Sequence, residues 1–199
     1  MSGGLQRSDF AAIAGWIRAD ARVLDLGCGD GALLAFLAEE CGSVGYGVEI
    51  DDDRVAACVK SGVNVIQDDI ERRLSAFADD SFDYVVLSQT LQAVRNSERV
   101  VREMLRVGRE GIVTFPNFGY WKNRLSVLGG RMPVSPNLPY QWFDTPNIHL
   151  CTITDFENFC RNHGVHILER IVINEGGRRV RLLPNLRGSL AMFRFARGA

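Results

Sequence analysis

The run Val23-Leu24-Asp25-Leu26-Gly27-Cys28-Gly29-Asp30-Gly31 joins a short apolar stretch to a carboxylate and then to glycines at alternate positions. Asp25 brings a negative charge to the carboxyl end of a predicted strand. Gly27, Gly29 and Gly31 let a ligand approach the backbone where a side chain would collide. A helix over 30–41 follows and aims its free N–H groups into the turn. Gly27 to Ala32 also satisfies the loose G-x-G-x-x-G/A pattern of dinucleotide sites, which keeps an NAD-dependent oxidoreductase as one reading. A carboxylate beside the turn suits a cationic sulfonium and amino group better than an anionic pyrophosphate. The expected ligand is therefore S-adenosylmethionine, or its product S-adenosylhomocysteine.

Three further sets of polar residues fall at strand ends. Glu49 closes the second strand, where a carboxylate can accept hydrogen bonds from both ribose hydroxyls. Asp68-Asp69-Ile70 follows the third, offering a carboxylate to the adenine amino group and a backbone amide to a ring nitrogen. Ser88-Gln89-Thr90 ends the fourth, so Ser88 and Gln89 are expected at the pocket floor. Each has a plainer reading as a cap or turn residue, and Asp51 to Asp53 read as the start of a helix. Their order behind the glycine turn makes the adenosyl site the stronger reading.

These residues need a parallel sheet to bring the strand ends together. Phe10, Ile13, Ala14 and Ile17 have helical spacing, and strands are predicted at 21–26, 43–50, 63–66, 82–88 and 111–115. Helices over 52–61 and 98–106 alternate with them, and near-continuous apolar strands indicate burial on both faces. Beyond residue 150 come a helix over 154–163, capped by Thr152 or Thr154, and strands over 165–173 and 189–197 that can pair antiparallel. The segment Pro116 to Leu150 holds five of the chain's six prolines and is rich in aromatics, with a short helix over 121–128. An insertion there follows a strand's carboxyl end, so it reads either as a cap over the ligand or as a surface loop packing its own aromatics.

With 199 residues, 46% of them hydrophobic, the chain is expected to form one domain over 1–199 with the cap at about 116–150 inside it. A net charge of −1 gives no global attraction to nucleic acid or acidic membranes. The arginines at 178, 179, 181, 187, 194 and 197 read as a solvated face or a protein contact, and no nucleic-acid partner is expected. No apolar run is long enough to span a membrane, and Arg7, Asp9, Arg18 and Asp20 do not fit a signal peptide, so a cytoplasmic location is expected. Five cysteines without a C-x-x-C pair suggest neither a disulfide framework nor zinc, and His163 and His166 lack partners at ligand spacing, so no metal is expected.

The chain resembles a class I S-adenosylmethionine-dependent methyltransferase and, more narrowly, is similar to the methionine-biosynthesis protein W (MetW) family. The narrow resemblance covers about residues 8–197. It rests on Leu87-Ser88-Gln89-Thr90-Leu91-Gln92, on Phe115-Pro116-Asn117-Phe118-Gly119-Tyr120-Trp121, and on Gly130-Arg131-Met132-Pro133 continuing through Leu138-Pro139-Tyr140 to Trp142 through Thr152. The resemblance implies a Rossmann-like α/β sandwich with a seven-stranded, mostly parallel sheet, an antiparallel edge strand and a cap insertion. It also implies that Asp25, Gly27, Gly29 and Gly31 meet the methionine moiety, Glu49 the ribose and Asp69 the adenine. The family's usual Gly-Asp pair is here Asp68-Asp69, and Asp69 is preferred as the adenine contact.

The function it implies lies in methionine biosynthesis, as an adenosylmethionine-binding partner or activator of homoserine O-acyltransferase, a MetX-like enzyme. The alternative is a catalytically active methyltransferase on a small molecule. Methyl transfer needs mainly alignment in a dry pocket, and where a base is required His149, Tyr140 and Asp144 are the candidates. Phe115-Pro116-Asn117-Phe118 matches poorly the (Asn/Asp/Ser)-Pro-Pro-(Tyr/Phe) loop that grips an amino nitrogen.

Overall fold

The computed structural model describes residues 3–198, and for 3–8 and 73 its side chains are not described. Residues 1, 2 and 199 of the expected 1–199 domain, and the Arg7 side chain, lie outside the described residues. Among the described residues seven strands form one sheet: β1 (Arg22–Leu26), β2 (Val44–Glu49), β3 (Val65–Gln67), β4 (Phe82–Ser88), β5 (Gly108–Pro116), β6 (Val165–Ile173) and β7 (Leu190–Arg197). Their order is β3-β2-β1-β4-β5-β7-β6. The first five are parallel, and β7 lies between β5 and β6 and runs antiparallel to both. Among the described residues, α1 (Gly3–Ala14) precedes the sheet and seven further α-helices lie between its strands: α2 (Ala32–Cys41), α3 (Asp52–Lys60), α4 (Ile70–Arg73), α5 (Ser97–Val107), α6 (Trp121–Leu128), α7 (Ile153–Asn162) and α8 (Pro184–Arg187).

The apolar runs are continuous because each strand feeds two cores. Leu24, Val85, Val113 and Phe193 pack with α5 and α7 on one face. Their chain neighbours Val23, Val86, Ile112 and Met192 pack with α1 and α2 on the other. On the first face Phe193 lies 4.8 Å from Phe156 and 5.9 Å from Phe115, ring centre to ring centre. By the same alternation Asp25 shares the Val23 face, the side that carries α1 and α2.

Several boundaries differ from expectation for local reasons. Gly29 and Gly31 have φ of 59° and 79°, so α2 cannot begin at Asp30 and starts at Ala32. The N-terminal helix stops at Ala14, although Ile17 beyond it is still buried. Strand β2 is buried only in its second half, leaving Val44 and Tyr46 exposed near the sheet edge. Thr152 is the cap of α7: its hydroxyl accepts from Asp155 N and the Asp155 carboxylate accepts from Thr152 N, a reciprocal capping box. Among the described residues no helix is long and apolar enough to cross a membrane.

Candidate functional site

Because β1 to β5 are parallel, their carboxyl ends meet on one side of the sheet, and a cleft of about 460 Å³ opens there. Its sheet side is lined by Gly27, Glu49, Ile50, Asp69, Ile70, Gln89 and Thr90, and its other side by Pro136, Asn137, Pro139, Tyr140, Pro146 and Asn147. The proline-rich segment therefore covers the ends of the strands.

The glycine turn is fastened to β2 by Gly27 N and Cys28 N, which donate to Val48 O at 2.8 and 3.2 Å. A Cβ on Gly27 would stand 2.9 Å from both Thr90 Oγ1 and Cγ2, so this position is closed to any side chain. Gly29 is different, since a Cβ there meets nothing within 4 Å and its left-handed φ alone favours glycine. Beside the turn the Cys28 and Cys58 sulfurs lie 3.8 Å apart, and burial raises the Cys28 thiol well above its ordinary range.

Asp25 is 2% exposed, and its Oδ1 is buried without a hydrogen-bond partner. Burial raises its carboxyl to about 7, and the charge of Glu49 pushes in the same direction. A buried carboxylate without a partner is costly, and an arriving cation with N–H donors relieves that cost. Glu49, also buried, ties the turn to α3. Its Oε2 accepts from Gly29 N at 2.9 Å, and its Oε1 accepts from Ile50 N and Asp51 N at 2.9 and 3.1 Å. A carboxylate offers about four acceptor positions, so three bonds leave room for a ribose hydroxyl.

Asp69 caps α4 through Oδ1, which accepts from Glu71 N at 2.9 Å, and it also lines the cleft. Asp68 does not line it; its Oδ1 accepts from Asp69 N. Ser88 is likewise outside the cleft lining, with its hydroxyl 3.1 Å from Thr114 Oγ1. Gln89 does line the cleft, in a left-handed conformation with φ 50°. Its amide N donates to Thr114 O and Oγ1, while its side-chain Nε2 donates to Asp9 Oδ2 at 3.2 Å. Asp9, on α1, was not expected at the site from sequence; it is buried, and burial raises its carboxyl to about 6.

Of the three expected bases, only Tyr140 lines the cleft. Asp144 is exposed at the surface of the cap. His149 sits outside the cleft, beside a small apolar cavity, with Nε2 3.2 Å from Arg95 O and its backbone N donating to Gln92 O. It braces the cap where the chain returns to the body. The cap supplies Asn137, whose Nδ2 is buried without a partner, and Gln92 supplies an unpartnered Oε1. A sequence pattern had no way of marking either, because both depend on how the cap folds back.

The two buried carboxyls make stability depend on pH. Both bind protons more tightly in the folded chain than in the unfolded one, where aspartate titrates near ~4. The stability this adds is complete below about pH 4 and is lost as pH rises through 6 and 7. Tm is expected to be roughly 5 °C higher at about pH 5 than at about pH 8. Combining Asp9→Asn with Asp25→Asn should remove most of that difference in thermal melts, and an unaltered difference would contradict the assignment.

The family model of methionine biosynthesis protein MetW matches residues 7–195. The bifunctional methionine biosynthesis protein MetXA/MetW of Rhodopirellula baltica is 38% identical over 202 residues, covering 95% of this chain. The chain spans about a third (32%) of the length of that relative. Among solved structures, a possible histamine N-methyltransferase from Thermotoga maritima, described as dependent on S-adenosylmethionine, superposes with a TM-score of 0.69 at 17% identity, over 98% of this chain and 90% of that one. A putative S-adenosylmethionine-dependent methyltransferase from Listeria monocytogenes gives 0.71 at 14% identity, over 98% and 100%. These two structural likenesses establish the Rossmann-like methyltransferase fold.

Proposed function

The chain belongs to the family of methionine biosynthesis protein MetW, and on that premise we propose that it binds S-adenosylmethionine or S-adenosylhomocysteine at the glycine turn and acts as partner or activator of homoserine O-acyltransferase. The observation that carries this reading is a contrast at the glycine turn. Asp25, two residues before Gly27, is a buried carboxylate without a partner for its Oδ1, although like Gly29 and Gly31 it does not itself line the cleft, and of the expected bases only Tyr140 does. Such a site is equipped to hold a cationic ligand and poorly equipped to move a proton.

In this reading Asp25 takes the ligand's ammonium, the turn admits the methionine moiety against bare backbone, Glu49 receives the ribose, and Asp69 with Ile70 meets the adenine. The bound group would supply an activated methyl, while the chain's own residues orient it and exclude water. The partner half of the proposal is supported by the Rhodopirellula relative, whose name joins MetXA to MetW in one protein. A bound adenosyl ligand then regulates the partner if it has different affinities for the free and complexed forms.

The test is twofold: titration calorimetry with adenosylmethionine and adenosylhomocysteine, and the rate of the same organism's homoserine O-acyltransferase with and without this protein. Micromolar binding and a changed rate are expected. Absence of ligand binding would overturn the adenosyl half of the proposal, and an unchanged acyltransferase rate without any association would overturn the partner half. Catalysed methyl transfer is the second reading, favoured by Tyr140 and the unpartnered Asn137 amide in the cleft. Its signature is labelled methyl appearing in a small molecule of cell extract.

A further inference from the structure

The cap has an inner side on the cleft and an outer side that is strongly apolar. Trp142 and Phe143 are 74% and 71% exposed, their rings meet edge to face at 5.7 Å, and Met132 and Leu150 are exposed beside Trp142 around a cavity of about 60 Å³. Asp144 is the one Asp, Glu, Lys or Arg in residues 132–150, in a chain whose charged fraction is 24%. Aromatic and methionine enrichment with depletion of charge is the composition of an interface core, and an apolar patch of this kind on a free surface marks a contact.

The outer patch is physically connected to the cleft. Tyr140 and Asn147 line the cleft on one side, and the cavity bordered by Met132 and Trp142 on the other. Among the described residues, the hydrogen bonds of residues 132–147 stay within that segment: Ser135 with Leu138, Asp144 N with Gln141 O, and Asn147 N with Thr145 Oγ1. A segment tied to the body by packing and not by hydrogen bonds can shift against it without breaking any. Trp142 is exposed and borders the small cavity, so its side chain is not locked by packing on all sides.

We infer that the Trp142–Phe143 face of the cap is the docking surface for the acyltransferase, and that docking and adenosyl binding are coupled through Tyr140. This rests on the function proposed above. The occupant is argued from chain length as well as composition, because the Rhodopirellula relative carries about two thirds of its length outside the part matched here. A partner joined in the same polypeptide is held at high effective concentration, which favours an apolar contact of modest size.

The experiment compares wild type with the Trp142→Ser, Phe143→Ser double variant, using the acyltransferase of the same organism and adenosylhomocysteine as the ligand. Both side chains are exposed and neither lines the cleft, so the variant should melt with wild type and bind adenosylhomocysteine unchanged. Its affinity for the acyltransferase is expected to fall at least about tenfold. In wild type, adenosylhomocysteine should change acyltransferase affinity at least about fivefold and Tyr140→Ala should abolish that change, whereas an acyltransferase affinity that is the same with and without the ligand overturns the coupling. Equal acyltransferase binding by variant and wild type overturns the docking surface alone. Wild-type self-association dispersed by the double variant assigns the face to a second copy and overturns it too. No acyltransferase binding by wild type overturns the function on which the inference rests.

Discussion

Asp25→Asn is expected to weaken adenosylmethionine binding roughly hundredfold, while the protein stays folded and is no less stable above about pH 7. The two side chains have the same shape, so the packing around β1 is preserved. What changes is the charge. In the free protein the Asp25 carboxylate is buried with Oδ1 unpaired and with the negative charge of Glu49 acting on it, an arrangement that destabilises the fold when ionised. The neutral amide removes that penalty. In the proposed complex the same carboxylate would pair with the ligand's ammonium, and losing one partner of a buried charged pair costs about 3 kcal/mol. Stability and binding should therefore move in opposite directions, as they do where a fold keeps a strained group for its ligand. Calorimetry at about pH 8 with both ligands checks this. Adenosylhomocysteine shares the amino group but lacks the sulfonium charge, so comparable weakening of both assigns Asp25 to the ammonium, and weakening of adenosylmethionine alone assigns it to the sulfonium. Undiminished affinity for both removes Asp25 from the site. Because the proposed pairing uses the ionised carboxylate, wild-type affinity is also expected to fall as pH drops below about 7, a dependence that the variant should lack.

The parts of this site that were legible in the sequence are those governed by short-range rules. Val23 and Leu24, or Val85 and Val86, announce a strand buried on both faces because each residue has its own core to enter. Glycines at alternate positions announce a turn because three left-handed conformations in five residues leave few other choices. Glu49, Asp69 and Gln89 line the cleft because a parallel sheet brings its strand ends together whatever the intervening helices do. Residues whose roles depend on chain folding back from afar were read less well. His149 is near Tyr140 in sequence, but its hydrogen bonds to Gln92 and Arg95 turn it to the body of the protein and out of the cleft. Asp9 reaches the cleft through Gln89, eighty residues along the chain, by a contact that no local pattern encodes. Asn117, weighed in the sequence against a substrate-gripping loop, has its side chain fully engaged in structure.

Asn117→Ala is expected to lower stability by about 4 kcal/mol and Tm by roughly 10 °C. The Asn117 side chain is fully buried at the root of the cap, immediately after β5, and each end of its amide serves two partners. Nδ2 donates to Gly188 O at 2.8 Å and to Asn185 O at 3.0 Å, while Oδ1 accepts from Gly119 N at 3.0 Å and from Ile153 N at 3.3 Å. One side chain thereby joins the first residues of the cap, the start of α7 where the cap returns, and α8. Removing it strands the Gly119 N–H and two carbonyls in a buried region, each at a cost of about 1–3 kcal/mol. Ile153 N loses less, because Asn185 Oδ1 also accepts from it at 3.2 Å. Asn117→Asp should be no milder, since it keeps the acceptor but sets a carboxylate against two carbonyl oxygens. Thermal melting checks the magnitude, and a Tm within about 3 °C of wild type would show that the amide is dispensable. Because the same contacts anchor both ends of the cap, limited proteolysis should cut Asn117→Ala faster within residues 129–150 at temperatures well below its Tm. The β-sheet should stay protected, which distinguishes a released cap from a globally unfolded chain.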